Sequence, residues 1–258
     1  MKYRFITLMA ASLLCAAAVS AQNAGSNAAC AGLPSHSALK AALISARNAA
    51  NGGFNLDMWG TIVDRDGAVC AVAFTGSDRG DQWPGSRVIS AQKANTANAF
   101  SLPGLALSTA NLYTAVQPGG SLFGLQFSNP VNTDVAYRGE SKNFGTAHDP
   151  MVGGKIGGVN VFGGGLALYD ANGKLLGAVG VSGDSSCADH NIAWRTRKNL
   201  ALDHVPAGVS GDATRPDNIV YDITSQPGQM PGVSAGGWGH PACSAAATTI
   251  AAGLPVIP

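Results

Sequence analysis

The segment GGGLALYDANGKLLGAVGVSGD, residues 163–184, carries the strongest fold signal in the sequence. Apolar residues lie on both sides of Asp170-Ala171-Asn172-Gly173, whose residue types favour a tight turn. We therefore predict a β-hairpin with one strand over Gly157 to Tyr169 and a second over Lys174 to Val181.

An earlier segment has the same plan. Strands are predicted over Met58 to Val63 and Ala68 to Phe74, separated by the Asp-Gly turn at Asp64 to Gly67. A helix is predicted after each hairpin. This similarity fits an internal duplication, and it fits equally well two independent copies of a common unit.

Helical spacing of apolar residues is found between and around the two hairpins. Antiparallel hairpins with intervening helices indicate an α+β fold, in which helices cover at least one face of a sheet. The predicted helices span Ser37 to Ala50, Ser86 to Phe100, Ser108 to Val116, and Asp184 or Ser185 to about Leu200.

Two segments show no clear periodicity. Residues 121–155 are rich in glycine, asparagine and proline, and a loop of this length inside a domain is usually functional or held by a partner. Residues 203–258 are rich in Pro, Gly, Ala and Ser. We predict an α+β domain over 22–202, followed by a C-terminal extension, 203–258, that is packed on its surface and partly disordered at the end.

The N-terminus has the features of a secretory signal peptide. Lys2 and Arg4 precede the apolar segment Phe5 to Val19, and small residues at Val19 and Ala21 predict cleavage after Ala21. No later segment approaches the roughly 20 apolar residues of a membrane span. We predict a periplasmic or secreted protein with residues 1–21 removed.

The charge balance argues against nucleic acid as a partner. Without Lys2 and Arg4, 14 of the 16 basic residues remain against 15 acidic ones, and no basic block is present. Binding to nucleic acid depends on neutralising phosphates with clustered lysines and arginines.

Four cysteines remain after the predicted cleavage: Cys30, Cys70, Cys187 and Cys243. An even number in an exported protein, without a C-x-x-C pair, predicts two disulfides rather than a metal site. Three pairings are possible. We favour Cys30–Cys70, which ties the entry segment to a core strand, and Cys187–Cys243, which holds the extension on the domain.

The glycine triplet Gly163-Gly164-Gly165 weakens a strand unless another group approaches its backbone closely. That group can be a helix, a neighbouring subunit or a flat ligand, and the sequence leaves all three open.

Catalytic signatures are absent: there is no Walker loop, Rossmann fingerprint, H-E-x-x-H or G-x-S-x-G. The densest polar cluster surrounds the last predicted helix start, with Asp184, Asp189 and His190. Backbone N–H groups there favour an anion, and the side chains can bind a metal or exchange protons. The structural alternative is a helix cap, a disulfide and a packed histidine.

Three further side chains are candidates for ligand binding. Arg87 and Lys93 can receive acidic groups of a ligand, or they can belong to a solvated helix face. His148, with Phe144 in the same long loop, can close over a site, or it can be merely exposed.

Both hairpin-helix blocks resemble the HbpS/GlcG-type haem-binding family, which includes the C-terminal domain of PduO-type proteins. The resemblance is carried by residues 163–184 and by Val63 to Gly67 with Ser86 to Ala94, and it covers roughly 37–200. It implies an antiparallel five-stranded sheet flanked by helices, a homo-oligomer, and a bound haem or related tetrapyrrole.

This sequence departs from the family pattern in three ways. It has the insertion around 121–155 and the cysteine-bearing extension, both of which can reshape a ligand site. It also lacks a Glu-x-x-Glu pair in the helix Ser86 to Phe100, which puts an iron-storage role in doubt.

The leading hypothesis is an exported protein that binds or handles haem. The macrocycle would lie against the glycine-rich hairpin, with an axial histidine and possible metal ligand at His190 or His148. The predicted cofactor-binding residues are Arg87, Lys93, Phe162, Gly163, Gly164, Asp184 and His190. Two alternatives stay open: an enzyme acting on a small organic substrate through Asp184, Asp189 and His190, with or without a metal ion, and a structural module without a ligand.

Overall fold

The computed structural model describes residues 30–258. The predicted signal peptide, residues 1–21, lies outside them. None of the helices in the described part of the chain is long and apolar enough to span a bilayer.

A four-stranded antiparallel sheet forms the centre of the fold. Its strands are β1 (Trp59–Asp64), β2 (Val69–Phe74), β3 (Gly165–Tyr169) and β4 (Leu175–Ser182). They are ordered β2-β1-β4-β3, so that the two predicted hairpins meet where β1 pairs with β4. A separate hairpin in the extension consists of β5 (Ile223–Gln226) and β6 (Gln229–Ser234).

The prediction of a five-stranded sheet is therefore wrong for residues 30–258, where the central sheet has four strands. The predicted strand from Gly157 is shorter than expected and begins only at Gly165. Gly157, Gly158 and Gly164 have φ angles of 62°, 77° and 120°. These positive values are incompatible with a continuous strand, so the residues before β3 run as an irregular segment.

Residues 30–258 contain six α-helices: α1 (His36–Arg47), α2 (Ser86–Ala99), α3 (Leu125–Ser128), α4 (Thr133–Ala136), α5 (Ser186–Asn199) and α6 (Ala245–Ala252). The Ser35 and Ser185 hydroxyls cap α1 and α5. The predicted helix from Ser108 to Val116 is two short 3₁₀ turns, Thr109–Leu112 and Thr114–Val116; a third spans Ser141–Asn143.

Helices cover both faces of the central sheet. Ile62 and Val179 belong to the core shared with α1 and α5, whereas their neighbours Val63 and Ala178 belong to the core shared with α2. This separation follows from the alternation of side chains along a strand. Because both faces are buried, all six residues of β1 are buried.

The close approach of α2 explains much of the glycine content of the second hairpin. A Cβ at Gly180 would overlap the Ser90 carbonyl oxygen, and one at Gly165 would overlap the Lys93 carbonyl oxygen. Of the three explanations that the sequence left open, helix packing applies here, and the hairpin has no free face for a flat ligand.

Both disulfides form as favoured: Cys30 pairs with Cys70, and Cys187 pairs with Cys243. The second one anchors the extension at the first turn of α5.

The C-terminal extension is an integral part of the core. Leu254, near its end, is fully buried in the core cluster that contains α1 and α5, and Pro255 accepts a hydrogen bond from the Trp194 indole. Asp217 forms two hydrogen bonds, of 2.6 and 2.8 Å, with the guanidinium of Arg197, and neither side chain is exposed. The expected disorder at the end of the extension is therefore wrong.

Substitution Asp217→Ala tests the integral role of the extension. It leaves the Arg197 cation buried without its partner, which typically lowers the free energy of unfolding by about 3–5 kcal/mol. The control is Glu140→Ala, which removes the exposed pair with Lys142 and should have almost no effect. Urea denaturation measures the free energy of unfolding of both variants. An equally small decrease in both would contradict the integral role of the extension.

Candidate functional site

The candidate residues at the start of α5 have structural partners. The two carboxylate oxygens of Asp184 accept hydrogen bonds from the backbone amides of Phe54 and Leu56, at 2.9 and 3.2 Å. Asp184 is therefore buried and fixes the segment between α1 and β1, while Ser185 caps α5.

Lys93 and Asp189 form a buried ion pair that joins α2 to α5. The Lys93 Nζ atom lies 2.7 Å from Asp189 Oδ2 and 3.1 Å from the Val181 carbonyl oxygen. The Asp184 amide donates to Asp189 Oδ1 at 2.9 Å. Burial raises the pKa of Asp189 to about 6, and the attraction of Lys93 opposes that rise.

Gly163 and Gly164 make room for this network. A Cβ at Gly164 would lie 3.1 Å from Lys93 Nζ and 3.1 Å from Asp189 Cβ, and one at Gly163 would overlap the Ser186 carbonyl oxygen. The adjacent Phe162 ring is 45% exposed. The predicted residues Lys93, Gly163, Gly164 and Asp189 thus lie close together, but protein atoms occupy the space between them.

His190 is covered by the extension. Its side chain is fully buried, and Nε2 lies 3.1 Å from both the Asn218 Oδ1 atom and the Ile219 amide nitrogen. Burial lowers the pKa of His190 to about 3, so the imidazole is neutral. Its Nε2 atom is therefore already engaged by residues 218–219 of the extension.

Arg87 lies in a different part of the structure, with the long insertion. Its Nε donates to Asp149 Oδ2 at 2.9 Å, Nη1 donates to the Ala136 carbonyl at 2.8 Å, and the guanidinium lies 3.7 Å from the centre of the Phe144 ring. Arg87 is therefore already paired with a carboxylate of the protein, rather than open to one of a ligand.

A pocket of about 490 Å³ opens beside this group. We call it the aromatic pocket. Its lining is largely apolar and consists of Trp59, Arg79, Gly80, Pro84, Gly85, Arg87, Val88, Tyr137, Ser141 and Phe144. Sequence reasoning singled out Arg87 and Phe144, but it missed Trp59, Arg79 and Tyr137.

Trp59 is one of the residues that line the aromatic pocket. It is 2% exposed, and its indole N–H has no hydrogen-bond partner among the described residues. Buried polar groups are almost always hydrogen-bonded, so an orphaned donor at the wall of a pocket suits a ligand with an acceptor atom. Only the pairing of strands brings Trp59 to this pocket, which explains why no local signal identified it.

His148 is exposed on the loop that contributes Phe144 and Asp149. Its backbone amide donates to Thr146 Oγ1 at 3.1 Å. Neither His148 nor His190 belongs to a cluster of three potential metal ligands within the described residues.

The sequence model of the HbpS-like haem-degrading proteins matches residues 33–197. The chain belongs to the HbpS-like family. The match contains the whole central sheet and the aromatic pocket. No curated protein matches the chain significantly.

Several solved structures have a similar course of the chain. The crystal structure of a PduOC–heme complex has 24% identity and a TM-score of 0.43, covering 63% of this chain and 89% of that chain. The Klebsiella pneumoniae protein ORFY has 24% identity and a TM-score of 0.43, with coverages of 65% and 90%. HbpS has 16% identity and a TM-score of 0.38, with coverages of 64% and 88%.

The extension lies outside the HbpS-like segment. Asn218 and Ile219, which cover His190, and Cys243, which pairs with Cys187, all follow residue 197. The closed surroundings of His190 therefore depend on a part of this chain that the family match does not include.

The burial of His190 predicts a pH dependence of stability. The histidine takes up a proton near pH 6.5 when unfolded but only near pH 3 when folded, so the unfolded chain binds more protons between these values. Stability should therefore fall by about 2 kcal/mol for this group between pH 7 and pH 5. Substitution His190→Asn should remove that contribution.

The contribution of His190 is the difference between the pH profiles of the wild type and of His190→Asn, each measured as the free energy of unfolding. The pKa of Asp189 is raised, so its contribution to the stability of the protein falls as the pH rises from about 3.8 to 6. The pKa of His240 is lowered to about 4, so its contribution falls as the pH falls. Both groups are present in both proteins and largely cancel in the comparison. Chemical denaturation at several pH values provides the data, and parallel profiles would exclude a buried neutral His190.

Proposed function

We propose that the protein binds haem or a related tetrapyrrole in the aromatic pocket. The observation that carries this proposal is a partly enclosed, largely apolar pocket with aromatic walls, beside which the buried indole N–H of Trp59 has no partner among the described residues. Apolar pockets with a few placed polar groups are typical of small-molecule sites. The name of the matching family and the PduOC–heme complex supply the class of ligand.

The walls suit a flat, apolar ring system. Trp59 and Phe144 can contact such a ring through their faces or edges, and Tyr137, 65% exposed, stands at the opening.

The charged side chains suit carboxylate substituents. Arg79 is exposed and makes no ion pair within the described residues, so its guanidinium is open to a propionate. Arg87 is held by Asp149 and serves instead to fix Phe144 at the wall. The propionate contact that the sequence suggested for Arg87 is thus reassigned to Arg79 in this proposal.

In this proposal His148, rather than His190, would hold the metal of the macrocycle. His148 is exposed, and its loop forms one side of the pocket, whereas His190 is buried beneath the extension. An imidazole on this surface loop would supply a nitrogen ligand to the metal of a bound macrocycle. The residues suggested for acid–base catalysis, Asp184, Asp189 and His190, are all buried and engaged with protein groups, which argues against the enzyme alternative.

Titration of the purified chain lacking residues 1–21 with haemin tests both the ligand and the site. The wild type should show a saturable Soret band. Substitution His148→Ala should shift this band and weaken binding about tenfold or more, because a lost ligand bond exceeds the 1.4 kcal/mol that a tenfold change requires. Trp59→Phe keeps the ring but removes the N–H, and should also weaken binding.

The matched control is His204→Ala, which changes a partly buried histidine beside the opposite edge of the sheet, where Asp203 pairs with Tyr169. It should leave the spectrum unchanged. A wild type without saturable binding would refute the ligand. Saturable binding that neither His148→Ala nor Trp59→Phe alters would refute the site but retain the ligand.

We further propose that the protein is exported and forms a homo-oligomer. Two disulfides favour an oxidising compartment. Exposed aromatic side chains such as Phe54, Phe123 and Phe127, which are 74%, 60% and 84% exposed, favour burial by another subunit.

Mass spectrometry of protein recovered outside the cytoplasm tests export and assembly together. Under denaturing conditions the chain should begin at Gln22 and contain no free thiol. Under native conditions the mass should be a multiple of the chain mass. An intact residue 1 would contradict export, and a purely monomeric mass at micromolar concentration would contradict assembly.

A further inference from the structure

A group of potential metal ligands lies at the turn between β1 and β2, and the proposed haem site does not use it. The Sγ atoms of Cys30 and Cys70 and a carboxylate oxygen of Asp64 all lie within 4.8 Å of one another. Within residues 30–258, no other three His, Cys, Asp or Glu side chains meet this condition. In the oxidised protein the two sulfurs are joined in a disulfide and offer no thiolate.

Asp64 supplies the second observation. Its Oδ1 atom accepts hydrogen bonds from the backbone amides of Asp66 and Ala68, both at 2.9 Å. Its Oδ2 atom is buried and has no partner among the described residues, although the side chain is almost wholly removed from solvent. An unpartnered buried carboxylate oxygen is unfavourable, and a cation satisfies it.

We propose that reduction of the Cys30–Cys70 disulfide creates a binding site for a thiophilic divalent cation such as Zn²⁺. Cys30 Sγ, Cys70 Sγ and Asp64 Oδ2 would be the protein ligands, and a water molecule would occupy the fourth position. Thiolates and a carboxylate are ligands that Zn²⁺ accepts in tetrahedral sites.

The distances require only a local change. In a tetrahedral zinc site, the Zn–S distance is about 2.3 Å and the Zn–O distance is about 2.1 Å. Two ligand atoms of such a site therefore lie about 3.6–3.8 Å apart. The three ligand atoms already lie within 4.8 Å of one another. Once the S–S bond is broken, the sulfurs must separate from about 2.0 to about 3.8 Å, which side-chain rotation can supply.

The redox step balances with an external reductant. A dithiol gives two electrons and two protons to the disulfide, becomes a disulfide itself, and leaves two thiols on the protein. Binding of the cation then releases the two thiol protons to solvent, because the thiolate is the form that coordinates metal.

The surroundings give the site access and compensating charge. Cys30 and Cys70 are both partly exposed, and a pocket of about 220 Å³ lies beside Asp64. Arg65, Lys174 and Asp66 line this pocket, so two positive charges and one negative charge lie near a site with two thiolates, one carboxylate and one divalent cation. The pocket also holds room for the water ligand.

The second disulfide lacks these features. Cys187 is fully buried, and the polar groups around its bond to Cys243 are a serine hydroxyl, backbone amides and a backbone carbonyl. A protein without the first disulfide is therefore a suitable internal control, since it still contains Cys187 and Cys243.

Titration with Co²⁺, a spectroscopic substitute for Zn²⁺, tests the proposal. The purified protein is reduced with a dithiol, freed from it anaerobically and titrated. The reduced wild type should bind one Co²⁺ with thiolate-to-cobalt charge-transfer absorption, and excess Zn²⁺ should abolish that absorption. The oxidised protein should show none.

Two variants separate the ligands. Asp64→Asn keeps the Oδ1 acceptor for the two backbone amides, so the oxidised variant should retain its near-ultraviolet circular dichroism. It should bind Co²⁺ at least about tenfold more weakly after reduction, since even loss of an outer-shell partner commonly has that effect. Cys30→Ser/Cys70→Ser should show no charge-transfer band.

Several outcomes would overturn the proposal: no cobalt–thiolate band in the reduced wild type, equal affinity in Asp64→Asn, or a retained band in the double serine variant. A reduced protein that unfolds and does not refold on adding Zn²⁺ would overturn it as well.

Discussion

The buried ion pair between Lys93 and Asp189 connects the helix on one face of the sheet to a helix on the other. The pair is 2.7 Å apart, and a backbone carbonyl of β4 and a backbone amide before α5 complete its hydrogen bonds. A buried pair of this kind contributes little net stability compared with apolar residues, but removing one partner typically costs about 3–5 kcal/mol. It therefore fixes the position of α5, and Gly164 must lack a side chain for it to form.

The C-terminal extension closes the region that this ion pair organises. Asn218 and Ile219 cover His190, Asp217 neutralises the buried Arg197, and Cys243 is bonded to Cys187. All these partners follow the segment that matches the HbpS-like family. The extension makes the polar start of α5 part of the core, whereas an accessible pocket lies beside α2 and the insertion.

The long insertion forms one side of that pocket and contacts α2 through Arg87. Asp149 accepts hydrogen bonds from the guanidinium of Arg87 and from the amide of Gly145 in its own loop, and the Ala136 carbonyl accepts another from Arg87. Phe144 then lies on the Arg87 guanidinium and forms a wall of the aromatic pocket. A segment that contains only short helical turns is thus held against α2 by the partners of one arginine.

The sequence by itself determined the local elements and their class. Turn residues with alternating or continuous apolar strands placed both hairpins, helical spacing placed α1, α2 and α5, and the cysteine count predicted two disulfides. These signals depend on a few neighbouring residues or on the number of cysteines, so they can be recognised without coordinates.

Only the tertiary structure decided the partners of the charged and polar side chains. Arg87 and Asp149 are 62 positions apart, and Lys93 and Asp189 are 96 apart, so no local pattern joins them. The same holds for the burial of His190, for the place of Trp59 in the aromatic pocket and for the approach of Asp64 to the first disulfide. A side chain's chemistry is set by burial and by neighbours distant in the chain, and those are fixed only when strands pair and helices pack.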